Sequence, residues 1–107
     1  MELKNMIDDF DYWQKNKTFS ILEIAARLHH RAVHIHPFRN GNGRWARMIA
    51  NIYLKQNGKL PTKWDDTSLS HESSARASYI QALKEADCGD VTKLIALQSV
   101  SYEIIER

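Results

Sequence analysis

Apolar residues recur at intervals of three and four along almost the whole of this 107-residue chain, and alternating strand patterns are nearly absent. That spacing places side chains on one face of a helix and leaves little material for a sheet. It appears first in Leu3, Met6, Ile7, Phe10 and Trp13. A second helix has a defined start, because Ser20 followed by Glu23 forms a capping box in which each side chain meets an unpaired backbone N–H. Ile21, Ile24, Ala25, Leu28, Ala32 and Ile35 continue it as a broad apolar face. Pro37 disfavours helical geometry in the residue before it, so this helix ends near His34 to His36 and residues 36 to 41 form a loop.

A third helix is expected from Asn42, a good cap residue, with Met48, Ile49, Ile52 and Tyr53 on its buried side and Gly58 as its stop. Lys59 to Ser70 reads as a polar loop, with Trp64 folding back onto the core and Asp65 and Asp66 in solvent. A fourth helix is expected over Glu72 to Asp87, with Tyr79, Ile80, Leu83 and Ala86 on one face, ended by Gly89 and Asp90. Val91, Leu94, Ile95, Leu97 and Val100 belong to a last helix. The expectation is an all-α fold, a bundle of about five helices forming a single domain over residues 1–107.

Composition narrows the function classes. The net charge is only +2, so no large basic surface is demanded and charge alone does not argue for DNA or RNA binding. No apolar run approaches the ~20 residues of a membrane span, and the acidic start MELKNMIDDFDYW does not read as a signal peptide. Cys88 is the one cysteine, which precludes an internal disulfide and fits a reducing, cytoplasmic setting. Asp87 and Asp90 beside it disfavour a reactive thiolate. His29, His30, His34 and His36 crowd together, and His30 and His34 have metal-ligand spacing. With no glutamate between them and no cysteine partners, packing and loop support is the expected role.

One stretch carries chemistry: HPFRNGNGRWAR, from His36 to Arg47. Gly41, Asn42 and Gly43 precede a helix, where glycines let backbone approach a ligand closely. The free N–H groups of a helix start and its dipole then form an anion site. Arg44 and Arg47, three apart, share a helix face. Two cations so near a helix start oppose its dipole by ~0.3–1 kcal/mol each when exposed, a conflict that a bound anion removes. The plain alternative is a pair of solvated surface arginines. His36 stands beside this site with a side chain able to accept a proton at neutral pH. Phe38 is expected to plug the core and fix the loop.

His36-Pro37-Phe38, then Gly41-Asn42-Gly43-Arg44, then Arg47 resembles the Fic family signature: HPF, two residues, GNGR, two residues, R. The block HHRAVHIHPFRNGNGRWARMIANIYLKQNG and the later ASYIQALKEADCGD are similar to the Fic branch called mobile mystery protein B. The resemblance implies an all-α Fic-like core and transfer of a nucleotide monophosphate, usually AMP from ATP, to a protein hydroxyl. His36 would be the general base. Phe38, Asn40, Gly41, Asn42, Gly43, Arg44 and Arg47 would form the nucleotide-binding set. Within it, Asn42 and the backbone around Gly41 and Gly43 would hold the α-phosphate, Arg44 would grip the β/γ-phosphates, and Arg47 would support that grip. Many AMP-transferring members carry Asp or Glu as a Mg²⁺ ligand where Asn40 stands here; a neutral amide is a weaker ligand for that hard cation.

The family usually has a β-hairpin flap upstream of the motif helix, and the residues before Ser20 show no hairpin pattern. The flap is therefore expected to be absent and the chain to be truncated at its N-terminus. The family's inhibitory pattern is Ser/Thr, three residues, Glu, then Gly/Asn; Ser99 to Glu103 has the spacing, but Ile104 follows and the match fails. The resemblance leaves two rivals to AMP transfer. A Doc-like kinase would transfer the γ-phosphate, though such motifs tend to have lysine where Gly43 stands. A non-catalytic chain would bind nucleotide weakly and act through an antitoxin-like protein partner.

Overall fold

The computed structural model describes residues 2–35 and 42–99. They form six helices: α1 (Glu2–Asn16), α2 (Ile21–Ile35), α3 (Asn42–Gln56), α4 (Asp66–Leu69), α5 (Ser74–Asp87) and α6 (Thr92–Gln98). Among the described residues there is no β-strand beyond an isolated bridge residue at Thr62. The fold is all-α, as the apolar spacing requires. No helix among the described residues is long and apolar enough to cross a membrane.

α2 is the central element, packed most extensively on α3 and also against α1, α5 and α6. Its two sides enter two cores. Ile24, Ala25, Leu28 and Ala32 join Met6 of α1 and Ala46, Tyr53 and Leu54 of α3. Ala26 joins Ala82 and Ala86 of α5 with Val91 and Leu94 at α6. Alanine dominates these contacts because a lone methyl group lets two helix backbones approach closely while costing no side-chain entropy in the helix. The indole of Trp45 reinforces the α2–α3 pair by donating to the Ala32 carbonyl at 3.1 Å.

The helix ends follow local chemistry. Ser20 Oγ accepts the Glu23 N–H at 3.2 Å, which is half of the expected capping box. The other half does not form, because the Glu23 carboxylate turns to Arg27 and accepts from its Nε at 3.0 Å and its Nη2 at 2.8 Å. A charge-assisted pair one turn away outcompetes the single backbone N–H. Gly58 and Gly89 close α3 and α5 in left-handed geometry, with φ of 75° and 92°. Around each, the following residue bonds back across the last turn, Lys59 N–H to Leu54 O and Asp90 N–H to Glu85 O. This is the Schellman arrangement, and a side chain at either glycine would be strained.

Three expectations need correction. The segment from Lys59 to Ser70, expected as a loop, contains the one-turn helix α4 beside the five longer helices. Asp65 starts it, its carboxylate accepting the Ser68 N–H at 3.1 Å and the Ser68 hydroxyl at 2.8 Å. One turn leaves no apolar period to read. Ser73, not Glu72, caps α5, accepting the Arg76 N–H at 3.0 Å. Met48 and Ile52 were expected on the buried side of α3 but are 56% and 47% exposed. α3 turns Ala46, Ala50 and Leu54 inward together with the expected Tyr53, and its two buried alanines allow close approach to α2. Trp64 does fold back, setting its ring edge-on to His29 and Tyr79. Val100, assigned above to the last helix, lies outside the described residues.

The loop between α3 and α4 is tied down at Thr62, which is 1% exposed. Asn51 of α3 accepts the Thr62 N–H at 2.7 Å and donates to the Thr62 carbonyl at 3.1 Å, replacing the backbone partners a strand would have supplied. Thr62 Oγ1 donates onward to the Gln98 carbonyl at 2.8 Å. Asn51→Ala should therefore destabilise the chain by about 2–4 kcal/mol, since it strips both backbone partners of a buried residue. Urea unfolding checks this, and an unchanged midpoint would rule out the clasp.

Candidate functional site

The start of α3 brings together the described part of the motif: Asn42, Gly43 and Arg44 in the first turn, then Arg47. His36, Phe38, Asn40 and Gly41 lie outside the described residues. No acidic residue occupies the first turn of α3. The N–H groups of that turn therefore face no carboxylate from within it, which is the electrostatic condition for receiving an anion.

The two arginines have different surroundings. Arg44 is exposed. Arg47 is only 7% exposed. Its guanidinium lies against the backbone of Gly43, so close that a Cβ on Gly43 would stand 2.9 Å from Nη1. The guanidinium carbon is 5.5 Å from the centre of the Tyr79 ring, within cation–π range. Arg44 is thus available to a ligand from solvent, while Arg47 braces the turn from inside.

Behind Arg47 is a buried polar cluster. His29 is fully buried on α2. Its Nε2 is 2.7 Å from the Tyr79 hydroxyl, and its Nδ1 is 3.1 Å from Gln98 Oε1. An amide oxygen can only accept, so Nδ1 carries the proton and donates to Gln98, while Tyr79 donates to Nε2. Burial, and next the charge of Arg47, push the His29 pKa down from 6.5 to about 3. His29 is therefore a neutral imidazole at physiological pH. Two buried donors, Trp64 Nε1 and Gln98 Nε2, find no hydrogen-bond partner among the described residues.

Sequence reasoning counted His29 as packing and Tyr79 as part of an apolar face. It did not single out Asn51, Thr62 or Gln98. The available signal was Gln98 itself, a polar residue beside Leu94, Ile95 and Leu97 in a short apolar helix. Of the pair His30 and His34, His30 Nε2 sits 2.7 Å from Asp87 Oδ1. Among the described residues no three His, Cys, Asp or Glu side chains converge on a metal position. The described residues at the start of α3 are likewise cationic or amide, so they suit a phosphate and do not themselves make a Mg²⁺ site. Cys88 is exposed at the end of α5 and takes no part.

A family model described as the Fic/DOC family matches residues 1–54, which span α1, α2 and nearly all of α3. The chain belongs to the Fic/DOC family. Its relatives include proteins named protein adenylyltransferase Fic. The one from Nematostella vectensis is 33% identical over 99 residues. That from Aedes aegypti is 30% identical and that from Drosophila virilis 31%, each over 97 residues. Each similarity covers 88% of this chain but 21%, 18% and 19% of the respective relative. The chain therefore spans about a fifth of the length of these Fic proteins. A coverage of 88% also carries the similarity past the family match and into the second half of the chain.

The neutrality of His29 has a pH signature. Its folded pKa is depressed, so between about 3 and 6.5 the unfolded chain binds a proton that the folded chain does not. The stabilisation is complete above 6.5 and is lost as pH falls through that window, with a limiting slope of about 1.4 kcal/mol per pH unit. From pH 6.5 to 5 the wild type should lose about 1.5 kcal/mol more than a His29→Asn variant in urea unfolding. Parallel pH profiles would show that His29 is not held neutral.

Proposed function

We propose that this Fic-family chain is the catalytic core of a protein adenylyltransferase, moving AMP, or another nucleotide monophosphate, from a nucleoside triphosphate to a protein hydroxyl. The observation that carries this reading is the start of α3: a turn free of acids, with Arg44 in solvent and Arg47 packed against Gly43 behind it. That geometry suits a polyphosphate, and the relatives named protein adenylyltransferase Fic supply the reaction class.

In the proposed reaction the target's hydroxyl oxygen attacks the α-phosphorus of ATP. The hydroxyl proton passes to His36, the new P–O bond forms to the target, and the bond to the β-phosphate breaks to release pyrophosphate. Phe38 and the backbone around Gly41 and Gly43 shape the pocket, and Asn42 holds the α-phosphate. Arg44 neutralises charge building on the β/γ-phosphates as they leave. Such transfer depends on positioning and charge compensation more than on covalent help from the protein. Bound with ATP, Mg²⁺ would neutralise phosphate charge; Asn40 offers it an amide oxygen but no negative charge.

Residues 1–107 are proposed to act as one Fic-like domain of the mobile mystery protein B type, cytoplasmic and able to pair with an antitoxin-like protein. Its partners are then a nucleoside triphosphate and a protein hydroxyl, without nucleic acid or membrane.

The test is incubation with ATP labelled at the α- or the γ-phosphate, with candidate target proteins present. Label should reach protein from α-labelled ATP only, and His36→Ala should reduce it by about 10²–10⁴-fold with ATP affinity nearly intact. Arg44→Ala should cost about 1.5–3 kcal/mol of ATP binding in calorimetry. Transfer from γ-labelled ATP alone would make the chain a Doc-like kinase. Binding without transfer of either label would make it a non-catalytic nucleotide binder.

A further inference from the structure

α5 and α6 contain none of the phosphate motif, yet they reach its buried arginine. The path begins on α3, where Asn51 clasps Thr62. Thr62 bonds to the Gln98 carbonyl at the end of α6, and the Gln98 side chain accepts from His29 on α2. His29 accepts from the Tyr79 hydroxyl on α5, and the Tyr79 ring faces Arg47, back on α3. The contacts close a ring through four helices, and Arg47 touches Gly43 at its inner edge.

An arginine side chain has many rotamers, and a cation beside a ring does not stay there without cause. Here the ring is held as well. Tyr79 is 7% exposed and its hydroxyl has a directed acceptor in His29. Trp64 closes another side, with its ring centre 5.7 Å from that of Tyr79. Arg47 is thus wedged between a fixed aromatic face and the Gly43 backbone. A Cβ at Gly43, 2.9 Å from Nη1, would be harmless if the guanidinium could swing aside. Wedged on Tyr79, it cannot move without leaving the ring.

We propose that Tyr79, oriented by His29 and Gln98, is a positioning residue that presses Arg47 against Gly43 and so sets the shape of the phosphate-binding turn at the start of α3. The turn's competence for nucleotide then depends on the docking of α5 and α6 as well as on the motif itself. The effect on ATP rests on the nucleotide-transfer reading above; the contact between Tyr79, Arg47 and Gly43 does not.

Two readouts on the full chain separate these. In ¹⁵N-labelled protein, the Arg47 Nε–H should exchange slowly with water and carry a ring-current shift. Tyr79→Leu should speed that exchange at least about tenfold and shift the Asn42, Gly43 and Arg44 amides, while Tyr79→Phe, which keeps the ring but loses the bond that orients it on His29, should have a clearly smaller effect of about threefold. Gly43→Ala should likewise release Arg47, but add little in a background of Tyr79→Leu, because the wedge is already gone. If Tyr79→Leu does not fold, Gly43→Ala alone decides through the same exchange rate. Unchanged Arg47 exchange in the folded variant, or equal effects of Leu and Phe, would overturn the proposal. In calorimetry with ATP and Mg²⁺, Tyr79→Leu should weaken binding about tenfold and Tyr79→Phe by a smaller factor. ATP affinity unchanged after Arg47 is released would also overturn it. If the wild type binds no ATP, the nucleotide reading fails, and the Arg47 exchange rate and turn amides still decide the positioning role.

Discussion

The interior of this chain depends on one neutral imidazole. His29 sits on the central helix, out of solvent, with a hydroxyl at one nitrogen and an amide oxygen at the other. Burial holds the ring in its uncharged form and the nearby guanidinium of Arg47 adds to that, so it donates to Gln98 and accepts from Tyr79. A charged His29 would place two cations in one dry space, a penalty far above the value of any single hydrogen bond there. The ring therefore serves as a junction between α2, α5 and α6 that could not be replaced by an apolar side chain without orphaning Tyr79 and Gln98 together.

Around that junction the helices come together through alanine. Ala25 and Ala32 on α2 share one core with Ala46 on α3, and Ala26 shares the other with Ala82 and Ala86 on α5. Close backbones leave little room for adjustment, so polar side chains trapped between them are well ordered. This explains why Arg47, on the inner stripe of α3, is held against Gly43 while Arg44 three residues earlier reaches solvent. One helix start thus presents an exposed cation outward and a buried one inward. That division suits a site that must admit a charged ligand and then hold its backbone donors still.

Much of this was legible in the residue pattern. The all-α class followed from apolar spacing, and the ends of α3 and α5 followed from Gly58 and Gly89, because positive φ leaves almost no other residue a choice. The phosphate turn is proposed on the same pattern, because glycines and arginines at a helix start are chemically costly without an anion. What escaped detection depended on contacts distant in sequence. Met48 and Ile52 have the hydrophobicity of core residues, and only the choice of the alanine stripe as the packing face left them exposed. α4 is set by Asp65 and Ser68, a one-turn arrangement too short to produce a period.

By itself, the sequence determined the elements and the chemistry of the motif, because helix periodicity, caps and glycine geometry act within a few residues. Only the tertiary structure decided which arginine is buried, which protonation state His29 holds, and that Asn51, Thr62, Gln98 and Tyr79 belong to one cluster. The physical reason is desolvation. Outside the fold each of these groups is an ordinary polar side chain in water. Their partners become obligatory only when helices separated by up to 69 positions along the chain close over them and exclude the solvent that would otherwise satisfy each one.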